Sequence, residues 1–424
     1  MTSPAGGAPG VSSGAAARVL GEFLRRTHLA PPSQVATIAA EVAASVDWTE
    51  VVIYLLDYEQ ESLRPVPSLD AADRAPQGLD GTLAGRAFTS ARTVAGSGVG
   101  PEHRRMWVPL IDGTDRIGVV EVAVAAAPGE VPGDVPNDVV ALLERFAHLV
   151  AQVVVTKSLY GDVFEYVRRT RPMTVASELQ WSLLPPQTFA TDEIVVAAML
   201  EPCYDNGGDT FDYAANGASV AVAVMDAMGH GLEAASASAI ASAGYRQARR
   251  SFVDLEATYT AVHAAVHRAF DGDRFVTAVF AELDCTTGQL AWVNAGHPPP
   301  LLLRGGRLVK TLWTKPSLPV GLPFHDGVVH RGEEALEPGD RVLLYTDGLT
   351  EARQADGSLL GVDRLVEFVE REAAAGLPAP ETLRRLRRHI GSAAQGLSDD
   401  ATALIVEWRA DDGTGLVPPS VLDA

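Results

Sequence analysis

The spacing of apolar positions changes several times along the first part of the chain. Apolar residues recur every three or four positions from Ala16 onward and again after Ser33, a spacing that predicts two helices. Three strand-like runs and a closing helical run follow, namely EVVIYLLDY, RMWVPLI, GVVEVAV and ALLERFAHLVAQVVV. Asp112-Gly113 lies between the last two strands and predicts a tight hairpin. This order predicts a small α+β sensor domain over residues 16–155.

The pattern changes again after residue 186, where strand-like runs alternate with longer helical stretches. The strand-like runs are EIVVAAML, SVAVAVMDA, TAVFAELD, QLAWVNA and DRVLLYTD, separated by turn signals such as Asn216-Gly217. The helical stretches include LEAASASAIASAGYRQARRSF, LEATYTAVHAAVHRAF and GVDRLVEFVEREAAA. Strands and helices in this order predict a β-sandwich flanked by helices over residues 186–410.

The segment between these domains, residues 156–185, predicts a helical connector. Val175, Leu179 and Leu183 recur every four positions and would share one helix face, and the helix would stop at Pro185-Pro186. That face fits either a core helix of the second domain or a signalling helix that couples the two domains. We expect the two ends of the chain, residues 1–15 and 411–424, to be disordered tails; Gly, Pro, Ser and Ala dominate the first.

Composition narrows the classes of function. The 424 residues carry a formal net charge of −20, which disfavours binding to nucleic acid. The two cysteines, Cys203 and Cys285, exclude a disulfide scaffold and a Cys-rich zinc site, and fit a reducing compartment. No apolar run approaches the roughly 18 residues of a membrane helix, and the N-terminus lacks the pattern of a signal peptide. We therefore expect a cytoplasmic protein that has no membrane or nucleic-acid partner.

Acidic residues stand at the ends of several apolar runs. Asp209 follows Gly207-Gly208, Asp226 ends VAVAVM, Asp347 ends VLLYT, and Asp399-Asp400 precedes ATALIVEW. A carboxylate in an apolar setting stays ionised only when it is paired or bound to a metal, and nearby basic residues are too few to pair them all. Converging oxygen ligands suit Mg²⁺ or Mn²⁺, and two such ions can activate a shared water and clamp a phosphoryl oxygen.

These segments resemble the PPM family of metal-dependent serine/threonine phosphatases, also called protein phosphatase type 2C. The branch that the chain resembles is the bacterial sporulation and stress-response (SpoIIE-like) one. The resemblance covers residues 175–407 and lies in ELQWSLLPP, NGGDTFDY, DAMGHGLEAA, NAGHPPPLLL, PGDRVLLYTDGLTEA and SDDATALIVEW. It implies an α-β-β-α sandwich that holds two Mn²⁺ or Mg²⁺ ions.

The resemblance also implies a role for each matching position. Asp226 would bridge both metal ions, the carbonyl of Ala227 would add a ligand, Asp209 would bind the second metal, and Asp347 and Asp399 would bind the first. Metal-bound hydroxide would then attack phosphorus directly, without a phosphoenzyme.

Other positions carry weaker implications. Asp400 would support the ligands. His230 could either donate a proton or serve in packing, and His297 could either be structural or touch the site. Asn206 before Gly-Gly-Asp and Ala227 after Asp226 depart from the family pattern and bear on the fine metal geometry. The sequence alone places no arginine dedicated to phosphate binding.

Residues 16–155 resemble a GAF domain, through IYLLDYEQESLRPV, GTLAGRAFTSARTVA and RMWVPLIDGTDRIGVVEV. GAF domains often bind small molecules or mediate dimers. This segment has no Cys for a thioether-linked bilin, and a small-molecule ligand and an empty dimerising domain both stay open. We expect a homodimer.

The leading hypothesis is a phosphatase that acts on phosphoserine or phosphothreonine in a regulatory protein. The resemblance implies a phosphorylated anti-anti-sigma (STAS-type) factor as substrate and regulation by the GAF domain. Cys-x5-Arg, P-loop and kinase signatures are missing from the sequence, which argues against those chemistries. Two alternatives remain: a non-catalytic partner-switching scaffold, and a hydrolase of small phosphate esters.

Overall fold

The computed structural model describes residues 13–72, 74–98, 103–125, 135–205, 207–323, 328–354, 356–393, 399–408 and 416–422. The chain divides into two compact units. The N-terminal unit comprises Met1–Thr170 with Thr414–Ala424, and the C-terminal unit comprises Arg171–Gly413. Both units combine helices with β-sheets, so the predicted α+β class is confirmed.

The N-terminal unit is built around one antiparallel sheet. Its strands are β1 (Thr49–Leu56), β2 (Ser62–Pro65), β3 (Gln77–Gly78), β4 (Val94–Gly98), β5 (His103–Asp112) and β6 (Asp115–Ala125). Its helices are α1 (Ser13–Thr27), α2 (Val35–Ala43), α3 (Leu83–Ser90), α4 (Asn137–Ser158) and α5 (Val163–Arg168). The strand order is β3-β2-β1-β6-β5-β4. Gly113, at φ 59°, turns the β5–β6 hairpin, so the predicted Asp-Gly turn is confirmed.

Helices cover one face of this sheet because α1, α2 and α4 each carry an apolar stripe. Phe23, Val42 and Phe146 share one core with sheet residues such as Ile53 and Val120. The rings of Phe23 and Phe146 meet edge to face, with their centroids 5.2 Å apart. Helix α3 packs over the opposite face, where the alternate residues of β1 point.

Helix α4 corrects one expectation from the sequence. Among the described residues it is the one helix that is long and apolar enough to cross a membrane by length and composition. Half of its most apolar stretch is buried inside the N-terminal unit. Leu142, Phe146 and Val150 belong to the core described above, which accounts for the apolar composition of the helix.

The C-terminal segment also differs from the sequence-based prediction, which made residues 411–424 a disordered tail. Residues 416–422 lie on the N-terminal unit, and the helical turn α12 (Pro419–Leu422) packs against α4. Val417 is only 7% exposed. The side chain of Arg145 donates from Nε to the carbonyl oxygen of Ser420 over 3.3 Å. A contact between segments so far apart in sequence leaves no local signal.

The rest of the predicted tails falls partly outside the described residues. That applies to residues 1–12, 411–415 and 423–424. Ser13 opens α1, although the sequence predicts it to lie in the first tail.

The C-terminal unit contains two antiparallel sheets. Its strands are β7 (Thr188–Ala190), β8 (Ile194–Glu201), β9 (Asp209–Asn216), β10 (Ser219–Ala227), β11 (Val276–Asp284), β12 (Gln289–Ala295), β13 (Leu301–Arg304), β14 (Arg307–Thr311), β15 (Arg331–Ala335), β16 (Arg341–Tyr345) and β17 (Ala401–Trp408). Its helices are α6 (Val175–Leu183), α7 (Gly231–Arg250), α8 (Leu255–Phe270), α9 (Asp347–Glu351), α10 (Gly361–Ala374) and α11 (Ala379–Ala393). The sheet orders are β15-β12-β11-β10-β9 and β14-β13-β16-β17-β8-β7.

The two sheets of the C-terminal unit pack face to face. Val224 of β10 and Val279 of β11 share a core with Leu344 of β16 and Leu404 of β17. Helices α7 and α8 cover the outer face of the first sheet, and α11 packs against β8 and β17 of the second. The layers follow the predicted α-β-β-α order. A short loop joins the end of β10 to α7, and Thr346 alone separates β16 from α9.

The predicted connector, residues 156–185, does not form one continuous helix. The end of α4 and all of α5 belong to the N-terminal unit, whereas α6 belongs to the C-terminal unit. Helix α6 ends at Leu183, just before Pro185-Pro186, as predicted. Its buried face carries Ala176, Ser177 and Gln180, whereas Val175, on the predicted apolar face, is 70% exposed.

The docking of the C-terminal segment can be tested by placing a charge in it. We expect Val417→Asp to lower the free energy of unfolding of the N-terminal unit by about 1–3 kcal/mol, because a carboxylate would replace a buried apolar side chain. Urea unfolding of the full chain, followed by tryptophan fluorescence, measures this change. Leu29→Asp is the control, since Leu29 is 91% exposed. Equal stability of the two variants would show that the segment contributes nothing.

Candidate metal centre

Two of the predicted ligands face each other across neighbouring strands. The register of β9 and β10 pairs Asp209 directly with Asp226. Just beyond this pair, the backbone N–H of Ala227 donates to the carbonyl oxygen of Gly208 over 3.2 Å. Like charges opposite one another on a sheet repel, so this pairing requires a proton or a cation between the carboxylates.

Asp400 anchors the glycine turn that leads into β9. Its Oδ2 accepts hydrogen bonds from the backbone N–H groups of Gly207, Gly208 and Asp209, at 2.8, 2.5 and 3.3 Å. The side chain is 8% exposed. Its engagement with the backbone fits the supporting role that the sequence analysis gave to this residue.

The glycines of this turn are required by close packing. A β-carbon on Gly208 would stand 2.9 Å from the carbonyl oxygen of Ala227, and one on Gly207 would stand 2.3 Å from the backbone nitrogen of Gly231. Contacts this short leave no room for a side chain. The Ala227 carbonyl, a predicted metal ligand, therefore lies directly against the turn that carries Asp209.

Asp347 and Asp399 reach the same region from the second sheet. Asp347 opens α9 directly after β16, and Asp399 precedes β17. Both side chains are exposed. Oδ1 of Asp399 accepts a hydrogen bond from the backbone N–H of Asp400 over 2.9 Å. A β-carbon on Gly348 would stand 1.9 Å from the carbonyl oxygen of Asp400, so α9 begins in contact with the chain that enters β17.

The carboxylates lie close enough to alter one another's ionisation. Burial raises the pKa of Asp226 to about 7, and the charges of Asp347, Asp399 and Asp400 add to the effect. Burial, followed by the charges of Asp226 and Asp400, raises the pKa of Asp209 well above its usual range. A carboxylate cluster with this electrostatic character favours bound cations.

The donor set fits a hard divalent cation in chemistry, since it consists of carboxylate oxygens and one backbone carbonyl. Within the described part of the chain, however, no group of three or more His, Cys, Asp or Glu side chains has the spacing of a finished metal site. The structure thus brings four predicted ligands to one end of the sandwich, namely Asp209, Asp226, Asp347 and Asp399. The assignment of each ligand to one of two ions stays a prediction.

Three further side chains hold Asp209 and its turn in place, and the sequence analysis missed them. Thr346 Oγ1 donates to Oδ2 of Asp209 over 2.7 Å, and Gln180 Nε2 donates to the backbone carbonyl of Asp209. Ser238 Oγ donates to the carbonyl oxygen of Gly208. Gln180 and Ser238 are buried polar residues on helices, and Thr346 is a buried hydroxyl beside Asp347. For Ser238 the available signal was a polar residue on the apolar side of a predicted helix.

The two histidines differ in their surroundings. His230 is exposed at the N-cap of α7 and makes no capping hydrogen bond through its side chain. His297 is buried, and its Nδ1 lies 2.8 Å from Oγ1 of Thr277, the residue that pairs with Asp226 across β10 and β11. Burial lowers the pKa of His297 to about 4. His297 is therefore neutral at physiological pH and supports the strand that faces Asp226.

A family model matches most of the C-terminal unit. Residues 216–409 match the family model of Stage II sporulation protein E (SpoIIE). Over these residues the C-terminal unit is similar to SpoIIE-type domains. The resemblance to sporulation and stress-response phosphatases is confirmed for this part of the chain.

Several curated proteins are similar to the chain at low identity. Phosphoserine phosphatase RsbU of Bacillus subtilis is 22% identical over 222 residues, which are 52% of this chain and 60% of that protein. Phosphoserine phosphatase RsbP of the same organism is 23% identical over 186 residues, or 43% of this chain and 45% of that protein. The chain thus spans less than two thirds of the length of either relative.

Solved structures align with about half of the chain. The RsbU and RsbW domains of Rv1364c from Mycobacterium tuberculosis align at 26% identity with a TM-score of 0.44, over 51% of this chain and 62% of that one. The SiaA-PP2C domain of Pseudomonas aeruginosa aligns at 21% identity with a TM-score of 0.46, over 56% of this chain and 94% of that one.

The repulsion at the centre predicts a stability change without metal. We expect Asp226→Asn to raise the free energy of unfolding of the metal-free C-terminal unit by about 1–3 kcal/mol at about pH 8, because the amide removes a disfavoured charge. The folded-state pKa of Asp226, about 7, lies above its ordinary value of 3.8. The penalty is therefore fully present above the folded pKa and vanishes as the pH falls to the unfolded pKa.

Chemical denaturation across this pH range, with a chelator present, measures the difference between the variant and the wild type. Asp192→Asn is the control, because Asp192 is exposed outside the centre. A variant that is less stable than the wild type at every pH would contradict the repulsion.

The contact at Gly348 predicts a separate effect on metal binding. We expect Gly348→Ala to weaken Mn²⁺ binding by about tenfold or more, because the methyl group would push Asp347 away from the chain at Asp400. Calorimetric titration with Mn²⁺ measures the affinity. Gly391→Ala, on α11, is the matched control, since a β-carbon there meets nothing within 4 Å. An unchanged Mn²⁺ affinity in Gly348→Ala would show that the position of α9 does not affect metal binding.

Proposed function

We propose that the chain is a metal-dependent protein serine/threonine phosphatase that hydrolyses phosphoserine or phosphothreonine. The pairing of Asp209 with Asp226, together with the influence of the Asp347 and Asp399 charges on the pKa of Asp226, carries this proposal. The relatives named phosphoserine phosphatases support it. A pair of Mn²⁺ or Mg²⁺ ions, when bound, would supply a water of lowered pKa and neutralise phosphoryl oxygens.

The side chains have separate tasks in this proposal. Asp209, Asp226, Asp347 and Asp399, with the carbonyl of Ala227, would hold the two cations. Asp400 keeps the glycine turn closed by accepting from three backbone N–H groups. These fixed contacts orient the carboxylates before a substrate arrives, and such preorganisation lowers the cost of reaching the transition state.

The natural substrate is proposed from the resemblance to the sporulation and stress-response branch. We infer a phosphorylated anti-anti-sigma factor of the STAS type. Incubating the chain with such a phosphoprotein and following loss of the phosphoryl group by mass spectrometry tests this. A phosphoprotein left intact by a chain that dephosphorylates other phosphoserine peptides would contradict it.

Regulation by the N-terminal unit is the second part of the proposal. We infer that residues 16–155 act as a GAF-like sensor in a cytoplasmic homodimer, with a small molecule as the possible input. Leu159, Tyr160 and Tyr166 support a dimer, since their side chains are 71–81% exposed near the ends of α4 and α5. Analytical ultracentrifugation of the full chain tests it, and a monomer at micromolar concentration would count against it.

The catalytic proposal is tested by hydrolysis of a phosphoserine peptide and of an aryl phosphate with and without Mn²⁺. We expect Mn²⁺-dependent turnover of both, with a loss of about 10²–10⁴-fold in Asp226→Asn. Asp192→Asn should match the wild type. Turnover of the aryl phosphate alone would favour a hydrolase of small phosphate esters. If neither substrate were hydrolysed but the chain bound a phosphoprotein tightly, the result would favour the non-catalytic scaffold.

A further inference from the structure

Arg274 lies beside the loop that follows Asp226. The register of β10 and β11 pairs Asp226 with Thr277 and Ala227 with Val276. It continues past the strand ends, where the backbone N–H of Met228 donates to the carbonyl oxygen of Phe275 over 3.1 Å. One further step in the same register brings Gly229 opposite Arg274.

The guanidinium group of Arg274 lies over this loop. Its Nη1 is 3.6 Å from the point where a β-carbon on Gly229 would stand. Gly229 has a φ of 90°, a conformation that side-chain-bearing residues rarely adopt. Since Gly229 has no side chain, nothing from that residue separates the guanidinium from the loop that Asp226 opens.

Glu233 forms an ion pair with the guanidinium group of Arg274. This residue belongs to the first turn of α7, and its carboxylate pairs with Nη2 of Arg274. The side chain of Arg274 is 29% exposed and that of Glu233 is 73% exposed. A pair with such access to solvent contributes little stability, and it occupies only part of a group that has five N–H donors.

We propose that Arg274 binds the phosphoryl oxygens of the substrate at the metal centre. This inference rests on the proposed function and adds to it the residue that recognises the phosphoryl group. A planar guanidinium can donate two parallel hydrogen bonds to a phosphate, which gives both affinity and orientation. A positive charge next to the loop that Asp226 opens would also offset the repulsion that an incoming phosphate dianion meets at the carboxylates.

A purely structural role makes a different prediction. If Arg274 served only to tie α7 to the start of β11 through Glu233, removal of either partner would have the same effect. If Arg274 binds phosphate, Glu233 competes with the ligand. Removal of the glutamate charge then strengthens phosphate binding, whereas removal of the arginine weakens it.

The experiment measures binding of inorganic phosphate to the Mn²⁺-loaded full chain by calorimetry. We expect Arg274→Ala to weaken binding about 10–100-fold, as loss of a charge-assisted hydrogen bond does, and Arg274→Lys to retain part of the affinity. Glu233→Gln should tighten binding about two- to fivefold. Arg268→Ala is the matched control, because Arg268 is an exposed arginine on α8. Its phosphate affinity should equal that of the wild type.

Three results would overturn the proposal. They are phosphate affinity in Arg274→Ala within about twofold of the wild type, a loss in Glu233→Gln equal to that in Arg274→Ala, and failure of the Mn²⁺-loaded wild type to bind phosphate. The binding measurement needs no turnover, so it is independent of the catalytic test. A wild-type chain that binds phosphate through Arg274 but hydrolyses no phosphopeptide would support this site and contradict the proposed phosphatase.

Discussion

The repulsion between the carboxylates of Asp209 and Asp226 is the main physical constraint on the C-terminal unit. The antiparallel register of β9 and β10 places these carboxylates side by side, and burial removes the water that would screen them. A folded chain tolerates such a pair when a cation or a proton lies between the carboxylates. The neighbouring Asp347 and Asp399 add negative charge and so favour the cation.

Contacts from the second sheet and from helices α6 and α7 hold Asp209 and its turn in position. Thr346 follows β16 of the second sheet, Asp400 opens the chain into β17, Gln180 lies on α6 and Ser238 lies on α7. Each of them bonds Asp209 or the glycine turn before it. A displacement of α6 would therefore act on the backbone of Asp209 through Gln180. This contact gives the proposed regulation a physical route inside the C-terminal unit.

The N-terminal unit follows a simpler rule, in which one sheet is covered on both faces. Helix α4 illustrates how composition alone misleads, since its apolar residues satisfy the length and hydropathy of a membrane segment while half of that stretch is buried in the unit. The segment 416–422 adds a short piece of chain to α4 from the far end of the sequence. Val417 of this segment is buried in the contact.

Local pattern determined much of this protein. Strand periods, the Asp112-Gly113 hairpin and acidic residues at strand ends are short-range features, because each depends on residues that are neighbours in sequence. They were sufficient to predict the α+β class, the sandwich and its acidic end. The resemblance to a phosphatase family then supplied roles for four residues, namely Asp209, Asp226, Asp347 and Asp399.

The tertiary structure decided which distant groups meet. Nothing local to Asp400 indicates that it binds the turn at Gly207, and nothing local to Arg274 indicates that it lies over Gly229. The apolar spacing of α6 pointed to Val175, yet the buried face carries Gln180, whose side-chain N–H donates to the backbone carbonyl of Asp209. Such pairings depend on strand register and sheet packing, which join residues far apart in sequence and leave no periodic trace along the chain.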